Sequence, residues 1–163
     1  MTKSISYTQY VSPLGEMTLA GTKDGLCGAY FFDQRSFKGT KDWPRDDHNP
    51  HLVKAAKELS EYFAGKRDRF AVQLDLAVHG TAFQQSVWRA LLNIEFGQTS
   101  TYGAHANSIN KPLAVRAVGG AIGKNPISII VPCHRVIGSN GALTGYDGGL
   151  DRKKYLLRLE GIL

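Results

Sequence analysis

The sequence predicts an α+β protein in which a small sheet-and-helix domain is followed by a mainly helical domain. β-rich runs and hairpin signals fill the first thirty-odd residues, whereas apolar residues recur at helical spacing from Leu52 onward. The charged residues also differ between the two predicted domains. Residues 1–78 hold eleven Lys and Arg against ten Asp and Glu, and residues 79–163 hold nine against four. We therefore predict a boundary between residues 78 and 79 and a polyanionic partner for the basic second domain.

The N-terminal domain is predicted to start with antiparallel strands, because a Ser-Pro-Leu-Gly turn and an Asp-Gly turn separate its β-rich runs. A polar segment broken by prolines then predicts a loop, and a change to helical period predicts a helix closed by Gly65. The predicted elements are strands over residues 5–11, 17–20 and 26–32, a loop over 33–50, a helix over 52–65 and a strand over 70–76.

The C-terminal domain is predicted to be helical up to its centre. An apolar stripe over residues 83–94 predicts one helix, and two shorter helices follow over residues 101–110 and from Pro112 to about Gly123. Two short helices joined by a tight turn are typical of a helix-turn-helix, with a plain helical bundle as the alternative.

Cys133 has the surroundings of a nucleophile. β-branched residues over 127–131 predict a buried strand that Pro132 ends, so that Cys133 follows at the strand's end with His134 beside it. We expect the pKa of a thiol in this place to be lowered and the thiolate to be the attacking species. His134 would accept the proton through a water, because adjacent side chains do not easily bond directly. Cys27, within a predicted strand, is interpreted as a buried free thiol.

A carboxylate near the C-terminus is the candidate third member of the site. Leu150 and Asp151 are interpreted as the staple residue and N-cap of a last helix, which Gly161 ends. Glu160 then lies in the last turn, where the helix dipole disfavours an acid by up to about 1 kcal/mol. A partner would explain its position, and His134 is the candidate; a solvated surface glutamate is the alternative.

Together these residues resemble the O6-alkylguanine-DNA alkyltransferases, also called methylated-DNA–protein-cysteine methyltransferases. The match covers most of residues 80–163, while the N-terminal half resembles that family's RNase H-like domain only in kind. The segments that carry the resemblance are residues 80–88, Thr101-Tyr102-Gly103, residues 116–119, Asn125-Pro126, Pro132-Cys133-His134-Arg135, Gly145-Tyr146, Gly148-Gly149 and Leu159-Glu160-Gly161.

The resemblance implies a DNA repair enzyme that flips O6-alkylguanine out of the duplex and takes the alkyl group irreversibly on Cys133. O4-alkylthymine is a second candidate substrate. His134, held by Glu160, would activate the thiol through water, and Tyr102 would help to rotate the nucleotide and donate its hydroxyl to the leaving guanine. Asn125 would tie the helix-turn-helix to the active-site strand. No cofactor and no metal are implied.

The resemblance also implies binding of double-stranded DNA through the minor groove. Arg116 would enter the base stack and fill the space of the flipped guanine, and Lys111 and Ser139 would face phosphates. Small residues, Ala114 and Val115 among them, would let the helix approach the backbone closely. The pocket for the flipped base would be formed by Val131, Pro132, Tyr146, Asp147 and Gly148.

Two positions depart from the family pattern. Glu95 stands where many relatives have proline, and we expect only a structural effect. Asp147 stands in the loop over the base where relatives usually have a small residue. We hypothesise that its carboxylate reduces activity on large O6 adducts.

Three other functions are alternatives. A protein that binds alkylated DNA without repairing it would have tryptophan in place of Cys133. A cysteine hydrolase would need an oxyanion hole and would turn over. Residues 119–125 imitate a phosphate-binding loop, but Asn125 stands where Ser or Thr should bind magnesium. Neither a signal peptide nor an apolar run of roughly 18 residues is recognised, so we expect a cytoplasmic monomer without a membrane partner.

Overall fold

A computed structural model describes residues 3–163 of the protein, so residues 1 and 2 of the predicted N-terminal domain lie outside the described residues. The N-terminal part is an antiparallel sheet with strand order β1-β2-β3, flanked by a helix. The helix begins two residues before the predicted start because the Asn49 side chain accepts from the His51 amide and caps it. The elements are β1 (Ser6–Ser12), β2 (Gly15–Gly21), β3 (Leu26–Phe31) and α1 (Pro50–Phe63). The three predicted strands and the helix are confirmed.

The predicted strand over residues 70–76 is wrong. Only an isolated bridge between Leu26 and Leu74 forms there, and a short 3-10 helix, Leu76–Val78, follows. The buried carboxylate of Glu58 accepts hydrogen bonds from the amides of Ala71 and Val72, at 2.9 and 3.0 Å. These amides therefore bond to a side chain and not to a neighbouring strand.

The C-terminal part is helical, with one short parallel strand pair. Trp88 donates from its indole nitrogen to the carbonyl of Ala121 at 2.8 Å, which fixes two of the helices on each other. One apolar core extends through both parts of the protein, with Phe31 and Leu59 from the first and Trp88 and Ile127 from the second. The elements are α2 (Ala82–Leu91), β4 (Ser100–Thr101), α3 (Tyr102–Ser108), α4 (Val115–Gly123), β5 (Val136–Ile137) and α5 (Leu150–Leu159).

Two helix starts differ from the prediction. Pro112 does not open α4; residues 111–114 form a turn closed by a 2.9 Å bond from the Ala114 amide to the Lys111 carbonyl, and the helix follows. Asp151 is not the cap of α5. Gly149 holds the cap position with φ +94°, a left-handed conformation that favours glycine, and Asp151 lies inside the first turn. None of the helices within residues 3–163 is both long and apolar enough to cross a membrane.

Candidate active site and DNA-binding surface

The segment before Cys133 is a buried turn, and its prediction as a strand is wrong. Ile127 makes a single bridge to Ala29, and Ile129 has φ +73°, a left-handed conformation that is rare for a β-branched residue. The Val131 amide closes the turn on the Ile127 carbonyl at 3.0 Å. Its β-branched side chains are buried in the core, a pattern that a buried strand would share. The chain leaves it into the 3-10 helix Cys133–Arg135.

Asn125 holds this turn with its side chain. Its amide nitrogen donates to the carbonyls of Val131 at 2.8 Å and Ile127 at 3.3 Å, and its oxygen accepts from the Ile127 amide at 3.0 Å. The residue is 2% exposed and follows Lys124, the C-cap of α4. These bonds join the segment after α4 to the cysteine segment, which is a turn and not the strand that Asn125 was predicted to hold.

His134 and Glu160 meet in the protein interior. Nε2 of His134 lies 2.7 Å from Oε2 of Glu160, and both side chains are fully buried. The expected partnership is therefore present in the geometry, and Glu160 is not a solvated surface residue. Glu160 follows α5 as its C-cap, so the helix end directs the carboxylate inward.

Glu160 also accepts from groups that sequence reasoning did not find. Tyr62 of α1 donates its hydroxyl at 2.7 Å, Arg135 donates from Nε at 2.8 Å and from Nη2 at 3.1 Å, and the Gly97 amide donates at 3.2 Å. Burial alone would raise the pKa of Glu160, but the hydrogen bonds from His134, Arg135 and Tyr62 outweigh it and lower the pKa to about 2. Glu160 is thus a fixed anion at neutral pH.

This anion determines the tautomer of His134. An ionised carboxylate only accepts, so Nε2 of His134 must carry the hydrogen that bonds it. Burial lowers the pKa of His134 despite the opposing effect of Glu160, and the ring is neutral near pH 7. Nδ1 then has the free lone pair. It is buried and makes no hydrogen bond within residues 3–163, and it is the atom able to accept a proton.

The pKa of Cys133 differs from the sequence expectation. Burial raises it to about 11, while the hydrogen bond from Asn125 and the charge of Lys153 lower it only in part. The expected lowering of the pKa is wrong for the protein without DNA. Cys133 rests as a thiol because burial disfavours the charged thiolate, so its proton must be removed before the sulfur can act as a nucleophile.

A cavity of about 500 Å³ opens beside Cys133, which is 7% exposed. Of the residues predicted for the base pocket, Tyr146, Asp147 and Gly148 line it. Val131 is fully buried and Pro132 lines a different cavity, so neither borders this space. Lining residues that the prediction did not include come from the N-terminal part, Asp33 and Arg35, and from helices, Gly119, Ile122 and Arg152.

Lys153 is a further residue that sequence reasoning missed. It is fully buried on α5, and its Nζ donates to the carbonyls of Val136 at 2.7 Å and Thr144 at 2.9 Å. Burial lowers its pKa, although the nearby Cys133 opposes this. Lys153 thereby joins the strand after the active-site segment to the loop that borders the cavity. A lysine within a helical pattern is usually exposed, so the sequence carried no signal for this.

Strand pairing places Tyr102 near the cysteine. β4 precedes Tyr102 directly, β5 follows the Cys133–Arg135 segment directly, and the two strands pair in parallel. Thr101 caps α3 by accepting from the Ala104 amide at 3.1 Å, which sets Tyr102 as the first helical residue. Tyr102 lines the cavity, and its hydroxyl accepts from Thr144 at 3.0 Å.

The helix-turn-helix presents the predicted DNA-binding residues at the surface. Arg116 and Val115 on α4 are exposed, Ala114 before it is half-buried, and Lys111 in the turn and Ser139 beyond β5 are exposed. The buried side of α4, with Val118, Ala121 and Ile122, packs into the core. A basic residue therefore projects from a helix whose neighbouring exposed residues are small.

Comparisons with known proteins agree with this geometry. The family model for the 6-O-methylguanine DNA methyltransferase DNA-binding domain matches residues 82–162, and the model for its ribonuclease-like domain matches residues 5–76. A methylated-DNA–protein-cysteine methyltransferase of Haemophilus influenzae is 42% identical over 159 residues, which are 98% of this chain and 88% of that protein. The chain belongs to the 6-O-methylguanine DNA methyltransferase family.

Other family members extend the comparison. The methylated-DNA–protein-cysteine methyltransferase of Mycobacterium tuberculosis is 48% identical over 156 residues, which are 96% of this chain and 92% of that protein. A crystal structure of Mycobacterium tuberculosis OGT in complex with DNA has a TM-score of 0.88 at 47% identity, covering 96% of this chain and 93% of the other. The α+β fold predicted from the sequence is therefore that of the 6-O-methylguanine DNA methyltransferases.

Proposed function

We propose that Cys133 accepts the alkyl group when this chain performs the reaction of its family, the transfer of an alkyl group from O6 of guanine in DNA to a protein cysteine. The Sγ–carbon bond forms as the O6–carbon bond breaks, and the electron pair of the broken bond stays on guanine. The thiol proton ends on guanine, so guanine and a thioether are the products. The thioether on Cys133 is not hydrolysed, so each protein molecule reacts only once.

The observation that carries this proposal is the His134–Glu160 pair next to a cysteine that borders a cavity. At a pKa of about 11, ionising Cys133 at pH 7 costs about 5 kcal/mol. Nδ1 of His134 is the buried acceptor for that proton, with a water between the two adjacent side chains. Glu160 stabilises the imidazolium that results.

Tyr102 and Asn125 have supporting roles in this proposal. The Tyr102 hydroxyl borders the cavity and would donate to guanine as negative charge develops there. Asn125 keeps the turn before Cys133 closed and its side chain lowers the pKa of Cys133 against the effect of burial. Tyr146, Asp147 and Gly148 would enclose the flipped base.

We further propose that α4 enters the minor groove of double-stranded DNA. Exposed Arg116 would occupy the space that the flipped base leaves, and the small exposed residues beside it allow the helix backbone to come close. Lys111 and Ser139 would contact phosphates. The protein would act as a monomer, and in the cytoplasm, in agreement with its two free thiols, Cys27 and Cys133.

Titration of the protein against duplex DNA that contains O6-methylguanine tests the proposal. We expect one guanine to be restored per protein molecule, after which the reaction stops. Cys133→Ser should restore none, while the matched variant Cys27→Ala should keep the wild-type stoichiometry because Cys27 is fully buried in β3. Restoration beyond one equivalent would instead support a cysteine hydrolase.

A further inference from the structure

A chain of polar side chains connects the N-terminal part to the loop that borders the cavity. Ser128 donates its hydroxyl to Oε1 of Gln34 at 3.1 Å, and Nε2 of Gln34 donates to the Ser36 hydroxyl at 3.3 Å. Ser36 in turn donates to Oδ2 of Asp147 with its hydroxyl and, at 3.3 Å, with its amide. Gln34 is 4% exposed and also accepts from the Phe31 amide, so Ser36 is attached to a fixed part of the protein.

The residues after Asp147 are held against the same part of the protein. Arg152 donates to the carbonyls of Gly148 at 3.0 Å and Leu14 at 3.1 Å and to the carboxylate of Asp33. Its guanidinium lies 4.3 Å from the centre of the Phe31 ring. A Cβ on Gly148 would come within 3.0 Å of that ring, which shows how closely the loop packs on β3.

Two loops border the cavity from opposite sides, in addition to the helices that line it. Asp33 and Arg35 line it from the N-terminal side, and Tyr146, Asp147 and Gly148 line it from the C-terminal side. The bonds between Ser36 and Asp147 fix the separation of the two loops where they approach each other. We expect an O6 substituent that extends as far as this contact to need the loops to move apart, which would break these bonds.

We propose that the contact between Ser36 and Asp147 is a latch that limits the size of the O6 substituent accepted beside Cys133. The proposal rests on the proposed function, since it concerns the selectivity of that same transfer. In this proposal Asp147 acts by holding its loop in place through Ser36, and not through its charge alone. The Asp147 carboxylate is engaged with the Ser36 hydroxyl and amide, and Ser36, far away in sequence, becomes a specificity residue.

Single-turnover rates with duplex DNA carrying O6-methylguanine or O6-benzylguanine test the latch in the full chain. The measured quantity is the ratio of the benzyl rate to the methyl rate. In Asp147→Ala we expect this ratio to rise about tenfold or more, because the charge-assisted hydrogen bond from the Ser36 hydroxyl and the longer one from the Ser36 amide are both lost. Ser36→Ala should raise it severalfold because the bond from the Ser36 amide remains. The double variant should not exceed Asp147→Ala, because both changes remove the same contact.

Two control variants separate the latch from other effects. Asp147→Asn removes the charge but keeps an oxygen that accepts from Ser36, so the hydrogen bonds weaken but remain and its ratio should stay within about threefold of wild type, well below that of Asp147→Ala. Asp151→Ala removes an exposed carboxylate four residues away and should leave the ratio unchanged. Asp147→Asn and Asp147→Ala both remove the same negative charge near Cys133. A difference between the ratios of these two variants therefore does not come from the effect of that charge on the thiol.

An independent measurement follows the loop itself. Hydrogen exchange at the amides of Gly148 and Gly149 should be faster in Asp147→Ala and Ser36→Ala than in wild type and Asp147→Asn. Unchanged benzyl-to-methyl ratios in both alanine variants, or an Asp147→Asn variant as permissive as Asp147→Ala, would overturn the latch. Wild-type protein that takes no methyl group on Cys133 would refute the proposed function itself, a result distinct from either of these.

Discussion

Replacing Glu160 by glutamine should slow methyl transfer severely even where the protein remains folded. The carboxylate accepts from five groups, and four of them, on His134, Tyr62 and Arg135, are side-chain donors. A glutamine side chain must direct its NH2 group toward some of these donors. If it faces His134, the ring has to take the other tautomer, and the hydrogen then sits on Nδ1, the atom that should receive the proton of Cys133.

The expected losses of stability and of transfer rate in Glu160→Gln follow from the contacts of Glu160. The pKa of Glu160 is about 2, compared with an ordinary 4.5, which corresponds to about 3 kcal/mol of stability. The pKa of Glu160 is lower in the folded protein than in the unfolded chain. This contribution to stability is therefore fully present above pH 4.5 and is lost as the pH falls toward 2. Glu160→Gln should therefore lower the free energy of unfolding by about 3 kcal/mol. A wrong tautomer should slow transfer by on the order of 10³- to 10⁴-fold.

Tyr62→Phe is the matched control for this variant. It removes one hydrogen bond to Oε2 but leaves His134 and Arg135 paired with Glu160, so we expect a loss of about 1 kcal/mol and less than tenfold in rate. Denaturant unfolding measures the stability, and quenched single-turnover transfer from methylated duplex DNA measures the rate. A folded Glu160→Gln protein within tenfold of the wild-type rate would refute the tautomer argument.

Three further predictions concern pH, the turn and the DNA surface. Because burial lowers the pKa of His134 below its usual 6.5, transfer should continue undiminished as the pH falls through 6.5 and decline only at lower pH; a midpoint at 6.5 or above in a rate–pH profile would contradict this. Asn125→Ala leaves the buried Ile127 amide unpaired and removes the side-chain hydrogen bonds to the Val131 and Ile127 carbonyls, so it should lower the free energy of unfolding by about 2–3 kcal/mol in denaturant titrations, and no loss would show that the turn does not depend on it. Arg116→Ala should slow transfer from duplex DNA much more than transfer from the free O6-methylguanine base, with an unchanged melting temperature; equal slowing of both substrates would exclude a role on the DNA.

The parts of the site that sequence could predict are those with a local signal. Glu160 stands at a helix end where an acid is disfavoured, and that conflict indicated a partner. His134 was the nearest candidate by residue type, and the two side chains do meet at 2.7 Å. The hairpins of the sheet were likewise predictable because turn residues and strand alternation lie within a few positions of each other.

The missed features depend on contacts between distant segments. Tyr62 reaches Glu160 across 98 positions, and Ser36 reaches Asp147 across 111, distances in sequence that no periodicity encodes. The turn over residues 127–131 was mistaken for a strand because burial and strand pairing favour the same β-branched residues. The side chain of Asn125 takes the place of a neighbouring strand there. The thiol pKa was misjudged for a related reason, since burial was evident but its effect on Cys133 outweighs the nearby donors.

The central claim, that Cys133 is the acceptor, is tested most directly by mass spectrometry of the protein after incubation with duplex DNA containing O6-methylguanine. The intact protein should gain one methyl group in place of one hydrogen, and peptide mapping should locate it on Cys133. A protein of unchanged mass, or a methyl group found on Cys27, would contradict it.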